Sequence, residues 1–480
     1  MLFPLKSQLK HQCWLMLGAA FGALLWQMTA AMHAADTIDN SPPSPVTGKI
    51  AGYRGIWFDL GQKSEYGSKY SGGLGTYTAK HCPLAIYDED ANKTFFVFGG
   101  TTQANETHLL AMIGYYDHTT GQVPQPTVVH DKLKVNDPHD NPAIAMDPKG
   151  HLWVFVSGRG RHRPGYKYRS RKPYDIGAFD QISEEEFTYP QPWWIEEKGC
   201  LHLFTKYTKG RELYRNRSQH GLGWTEDQKL AGMGGHYQIS RRIGSRVMTA
   251  FNYHPNGNVD YRTNLYFLQA SDLGETWQTV SGDKVLPPLT ETDNPALVKD
   301  YQAEDRLVYL KDITVDGEGN PVILHITSDK HQPGPHHRPR EWTIAHWQNG
   351  EWIFQSITRA FHNYDMGSIY IEPDKRWRLI APTHPGPQRH STGGEMMMWI
   401  RPAEILAWNL LRTITVESPR NHGYARRPVN AHPDFYAFWA DGNPDTLTAS
   451  HLYFTNKDGT GLWKLPYDMK TPAAIPERLY

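Results

Sequence analysis

A chain of 480 residues with 50 Lys and Arg against 50 Asp and Glu lacks the basic surplus that phosphate neutralisation needs, so nucleic acid is not expected as its partner. Aromatic residues at 12%, 16 of them Trp, with 42 Gly and 34 Pro exclude a disordered chain and indicate an ordered, turn-rich one. The length suits two or three ordinary domains or one large all-β domain.

At the N-terminus, Lys6 and Lys10 precede the apolar run from Cys13 to Leu25, and the small residues Thr29, Ala30, Ala31, Ala34 and Ala35 follow. This order reads as a signal peptide over 1–34, cleaved between Ala31 and Ala35. The run is short for a membrane anchor and ends at Gln27. The expected protein is therefore secreted or periplasmic, with no membrane contact after cleavage. Residues 35–51 are expected to be a linker and 52–480 a single domain. Beyond the signal only Cys82 and Cys200 remain. They allow one disulfide or two buried thiols, and no cysteine-built metal site.

Helical periodicity is nearly absent after the signal; strand-length apolar runs alternate with Gly, Asn, Asp and Pro turns. Trp193 to Glu196, Leu201 to Tyr207 and Glu212 to Arg215 read as a three-strand meander with turns at Lys198-Gly199 and Lys209-Gly210. Gln238 to Ile243, Arg246 to Tyr253 and Asn264 to Leu268 repeat it. Comparable units begin near His81, His139, Pro190, His236, Lys311, Tyr364 and His432, roughly 45 to 75 residues apart, the upper part of the range for propeller blades. The segment Ser271 to Trp277 matches the Asp-box turn of sialidase-like propellers, and Arg217 to Trp224 and Thr455 to Trp463 are degenerate copies. The expected fold is all-β: a seven-bladed β-propeller whose early strand, Tyr53 to Leu60, pairs with the last blade to close the ring.

Aligned by their hairpins, the units place His81, His139, Tyr189, His236 and Tyr364 at the start of the first strand, and Arg159, Tyr207, Tyr253 and His384 at the end of the second. Innermost strands flank the central channel, so both sets would crowd one mouth. His139 stands out because Pro138 and Pro142 fence its turn and Asp140-Asn141 supply partners. Tyr207 is followed closely by Lys209 and Arg211, and His162 lies in the basic loop Arg159 to Arg163, which suits an anionic substrate. Asp140, Asp260 and Asp365 have no visible carboxylate partner, so the pair a glycosidase needs is not evident. Phosphate-loop, G-x-S-x-G and H-E-x-x-H motifs are absent. Histidine, tyrosine and arginine without paired carboxylates fit β-elimination beside a uronate. Imidazole suits the removal of the C5 proton, arginine the charge developing on the carboxyl, and tyrosine the protonation of the leaving oxygen.

Tyr53 to Trp57, Lys69 to Gly75, Asp137 to Ile144, Phe204 to Tyr207, Arg262 to Tyr266, His362 to Ser368 and Gly393 to Glu395 together resemble the bacterial-neuraminidase-repeat proteins that include the seven-bladed propeller ulvan lyases. The resemblance runs from about Gly52 to the end. It implies cleavage of ulvan, a sulfated polysaccharide of rhamnose 3-sulfate and uronic acids, with an unsaturated uronyl end as product. It further implies His139 and Tyr207 as the catalytic histidine and tyrosine, His162 as a second active-site histidine and Arg211 as the residue neutralising the carboxylate. Asn141, Tyr253, His254 and Arg262 are expected to bind the substrate, an anionic sulfated polysaccharide, in a monomeric enzyme. The chemistry needs no cofactor; a structural Ca²⁺ or Zn²⁺ stays open, with no ligands assigned. A sialidase-like hydrolase and a non-catalytic glycan-binding propeller are the alternatives on the same scaffold.

Overall fold

Residues 45–74, 80–104, 106–336, 338–405 and 407–480 are described by a computed structural model. The expected signal segment, the first part of the expected linker and Gly75 lie outside the described residues. Every regular element among them is a strand or a short 3-10 turn, as runs of period two without helical periodicity require. Pro45–Tyr480 forms one unit.

Six antiparallel sheets are cut from consecutive chain. Pro142–Met146, Leu152–Val156, Gly165–Ser170 and Phe179–Glu185 make the first blade, and Thr188–Ile195, Gly199–Tyr207, Arg211–Ser218 and Gln228–Ala231 the second. The third starts with Gln238–Ile243, Arg246–Tyr253 and Thr263–Ala270; the fourth spans 307–360, the fifth 368–413 and the sixth 421–478. From the first blade to the fifth, the first strands lie against one another in ring order. They set the starts of the first strands and the ends of the second strands around one mouth, the layout of a β-propeller.

The seventh unit expected from the sequence is not a blade of this kind. Ala85–Asp88, Lys93–Gly100, Leu110–Asp117 and Thr127–Asp131 belong to an eight-stranded sheet that also takes in Gly48–Lys49, Gly55–Asp59, Ser71–Gly72 and Thr448–Ser450. The expectation of seven like blades is thereby corrected to six blades and one composite closing sheet. The reason is that Gly55–Asp59 pairs on one side with Thr448–Ser450 (Gly55 opposite Ser450) and on the other with Gly100, so both ends of the chain merge there. Trp57, wholly buried, plugs this junction. A Cβ at Gly442 would come within 2.3 Å of its ring, so only glycine permits the approach.

The last blade begins at Asn421, ahead of the expected His432. His432 lies in the connection to Ala437–Gly442, where Pro428 and Pro433 mimic the fenced start of a unit. The three Asp-box-like segments all join third to fourth strands. Asp272 accepts from the Thr276 N–H (3.0 Å) and hydroxyl (2.6 Å), above a fully buried Trp277. Asn456 Oδ1 accepts from Thr460 and Gly461, and Ser218 Oγ from Gly221. Of the two alternatives for the cysteines, free thiols hold: Cys82 and Cys200 are buried and unbridged.

Candidate functional site

Asp137 builds the first part of the mouth. It caps the 3-10 turn Pro138–Asp140, accepting from the His139 backbone N–H at 3.0 Å, while Asn141 N–H closes the turn onto the Pro138 carbonyl. The same carboxylate bonds His139 Nδ1. A carboxylate in that position accepts a hydrogen bond from Nδ1–H and leaves Nε2 as the basic atom. Arg159 and Arg163 pair with its other oxygen, the latter at 2.7 Å, and Arg163 also holds Asp140 at 2.7 Å. Burial acts to raise the Asp137 carboxyl, but His139 and Arg159 overcome it and hold the group well below the usual carboxylate range. Burial pulls the His139 imidazole below its ordinary value against the opposing pull of Asp137, so it is neutral at neutral pH.

From His139 the site passes along a row of phenols. Its ring lies 5.4 Å from that of Tyr189, which lies 5.5 Å from Tyr237. Tyr189 has φ of 57° within a register shift between Thr188 and Gln191. That left-handed conformation costs a bulky residue of order 1–3 kcal/mol and persists only where its surroundings enforce it. Tyr207 ends its strand directly opposite Arg211 across the hairpin, and the Arg211 guanidinium lies 5.4 Å from the Tyr207 ring. Tyr207 and Arg211 are half-buried, whereas His139 is 1% exposed, so the pair lies nearer the surface than His139, although the Tyr207 hydroxyl and Arg211 Nε are themselves buried.

Tyr237, which the sequence reading overlooked, sits at the centre. Its N–H donates to Asn252 Oδ1 at 2.9 Å, and Asn252 also accepts at its carbonyl from the neighbouring His236. Arg262 stacks over the Tyr237, Tyr364 and Tyr309 rings at 4.4, 4.8 and 5.0 Å, and donates to the Tyr364 hydroxyl and the Val259 carbonyl. Burial would raise the Tyr237 phenol, but Arg211 and Arg262 bring it below the ordinary tyrosine value. Tyr207 moves the other way, raised by burial and by Tyr237.

His254 packs 4.8 Å from the Tyr237 ring and is wholly buried, with no hydrogen-bond partner for either ring nitrogen among the described residues. The structure thus brings together His139, Tyr207, Arg211, His254 and Arg262. His162 lies apart, exposed on the turn Gly160–His162, although Gly160 abuts Tyr207. Asn141 is fully buried and donates its amide to the Gly73 carbonyl at 2.7 Å, so it supports the turn beneath His139. Tyr253 is half-buried beside Gly234, next to His254. A cavity of about 720 Å³ lined by Asp88, Asp147, Glu196 and Arg242 lies at the far ends of these first strands and contains none of the expected residues.

The description "BNR repeat-containing family member" matches residues 105–359 of the chain. No curated protein sequence matches it. Among solved structures, a PL25 ulvan lyase that represents a new family of polysaccharide lyase superposes with a TM-score of 0.66 at 15% identity, covering 86% of this chain and 96% of that one. It has also been solved bound to -[GlcA(1-4)Rha3S]-. Polysaccharide lyase Uly1 superposes with a TM-score of 0.57 at 12% identity, covering 86% of this chain and all of the other. At such identities the likeness is one of fold.

Proposed function

This chain belongs to the BNR repeat-containing family, and from that premise we propose that it is a polysaccharide lyase that cleaves ulvan by β-elimination at the uronate. The observation that carries the reading is the convergence of a carboxylate-anchored neutral histidine, a half-buried tyrosine and two arginines at one mouth. Arg211 meets the uronate carboxyl and stabilises the charge that builds there as C5 loses its proton. Tyr207 and His139 share the base and acid roles. Tyr207, raised in pKa by burial, keeps its proton for the O4 leaving group, and neutral His139 accepts the C5 proton. His139 is 1% exposed, so this step needs the sugar to enter as far as the Tyr189 ring. Arg262, His254 and Tyr253 line the inner wall, and His162 on its exposed turn meets the polymer outside. The protein acts as a secreted or periplasmic monomer.

Lyase chemistry is favoured over sialidase-like hydrolysis because Asp137 and Asp140, the carboxylates beside His139, are held by Arg159, Arg163 and Lys132. Carboxylates so paired are poorly placed as nucleophile or acid. Ulvan digestion followed by the ultraviolet absorbance of the unsaturated uronate tests the reading. A rise in absorbance that Tyr207→Phe and His139→Ala both abolish is expected. Reducing ends without absorbance would mean hydrolysis, and affinity for the polymer with neither signal would mean a binding propeller.

A further inference from the structure

Away from this mouth, where the closing sheet meets the sixth blade, His118, His432 and Asp434 each present a ligand atom, and the three atoms lie within 4.8 Å of one another. We propose that they bind a divalent transition metal of the zinc class, which ties the two ends of the ring together. His118 occupies the turn after Leu110–Asp117, with its N–H on the Asn92 carbonyl at 3.1 Å. Its Nε2 is engaged by the Thr94 hydroxyl at 2.8 Å. A hydrogen bond from one ring nitrogen to an oxygen is how proteins orient a metal-binding imidazole so that the other nitrogen faces the ion. That other nitrogen, Nδ1, is buried and has no hydrogen-bond partner among the described residues.

The facing group comes from the opposite end of the chain. His432 and Asp434 lie in the connection after Asn421–Arg426, and Asp434 N–H donates to His432 Nδ1 at 3.1 Å. The two imidazole centroids are 3.8 Å apart. Tyr87 packs on both rings at 5.2 and 4.8 Å, and Tyr116 on His118 at 4.9 Å. Two imidazoles and one carboxylate with a fourth position for water are a tetrahedral zinc set. Calcium and magnesium prefer oxygen-rich shells, so the nitrogen donors select against them. An ion here closes the long loop from His118 to His432, and a cross-link over a long loop restricts the unfolded state more than one over a short loop.

The test uses the full chain, stripped with a chelator and dialysed against zinc sulfate or calcium chloride in parallel. Bound metal and the midpoint of thermal unfolding are then read. About one zinc per chain is expected, with no retained calcium and a rise in midpoint of roughly 2–4 °C at saturating zinc. His432→Ala removes both effects. Asp434→Ala, at a carboxylate 69% exposed, leaves the fold intact and weakens zinc binding by about tenfold or more. Absence of stoichiometric zinc, retention of calcium in its place, or undiminished zinc in Asp434→Ala overturns the proposal. Because none of these residues belongs to the mouth, the outcome is independent of whether the chain cleaves ulvan.

Discussion

His139 and Asp137 act as one unit, and the carboxylate sets both the orientation and the proton affinity of the ring. Asp137→Asn preserves the size of the cap but removes the charge that favours protonation of His139 and leaves an amide that can present the wrong face to Nδ1. Turnover is expected to fall by roughly 10²–10⁴-fold with KM changed little, as for other histidines deprived of their orienting carboxylate. The pH profile adds a sign. Burial depresses His139 and Asp137 pulls it back up, so the acidic limb of kcat/KM lies below the ordinary histidine range in the wild type. It moves further down in Asp137→Asn; a limb that moves up would refute the pairing. Around Tyr237, the two arginines that depress the phenol, Arg211 and Arg262, come from other segments of the chain, so neighbouring sequence gives no hint of its bias.

Strands and their turns show how local chemistry builds the repeat. Each Asp-box-like turn uses one short polar side chain to take the backbone donors of a tight connection, freeing the following tryptophan to be buried or packed. Asp272→Ala removes acceptance from the Thr276 N–H and hydroxyl. It is expected to cost about 1 kcal/mol, read as a lower urea midpoint at unchanged slope with the mouth's activity intact. The hairpin between Tyr207 and Arg211 illustrates the other use of an element: pairing them directly across the turn sets a cation beside a phenol. The neighbouring Lys and Arg residues marked that hairpin in the sequence. The left-handed bulge that turns Tyr189 toward His139 had no comparable mark, because it depends on packing between the first and second blades.

Across the whole molecule, acid stability follows from histidines sealed between blades. Burial lowers His81 to about 3 and His236 and His325 to about 4. Unfolded histidines titrate near 6.5, so between that pH and about 4 the unfolded chain binds protons that the folded one refuses, and stability falls as pH drops through this window. Asp365, pushed up to about 7 by burial, acts in the opposite direction but is outnumbered, since burial also lowers His118, His130, His202, His254 and His362. Unfolding at about pH 5 should therefore take up protons on balance, visible as guanidinium midpoints that are lower at pH 5 than at pH 7. A midpoint that rises on acidification would show that these histidines are hydrated. The ring itself depends on the strand Gly55–Asp59, whose pairing with Thr448–Ser450 joins the termini.

Much was legible in the chain alone. Period-two runs and Gly, Asn and Pro turns determine strands and hairpins because backbone geometry and side-chain alternation are local. The Asp-box spacing determines where third strands turn, and the flanking prolines of His139 determine that it sits in a rigid turn. The number of like blades was not determined, since a sheet that recruits strands from residues 48–131 and 448–450 has no signature within any one segment. Nor was the role of Tyr237 or the buried support given by Asn141, because both depend on what distant strands bring beside them. Only the closed ring sets Asp137, Tyr207, Tyr237 and Arg262 around one opening, and it does so because charge, burial and reach act through space while sequence records only order.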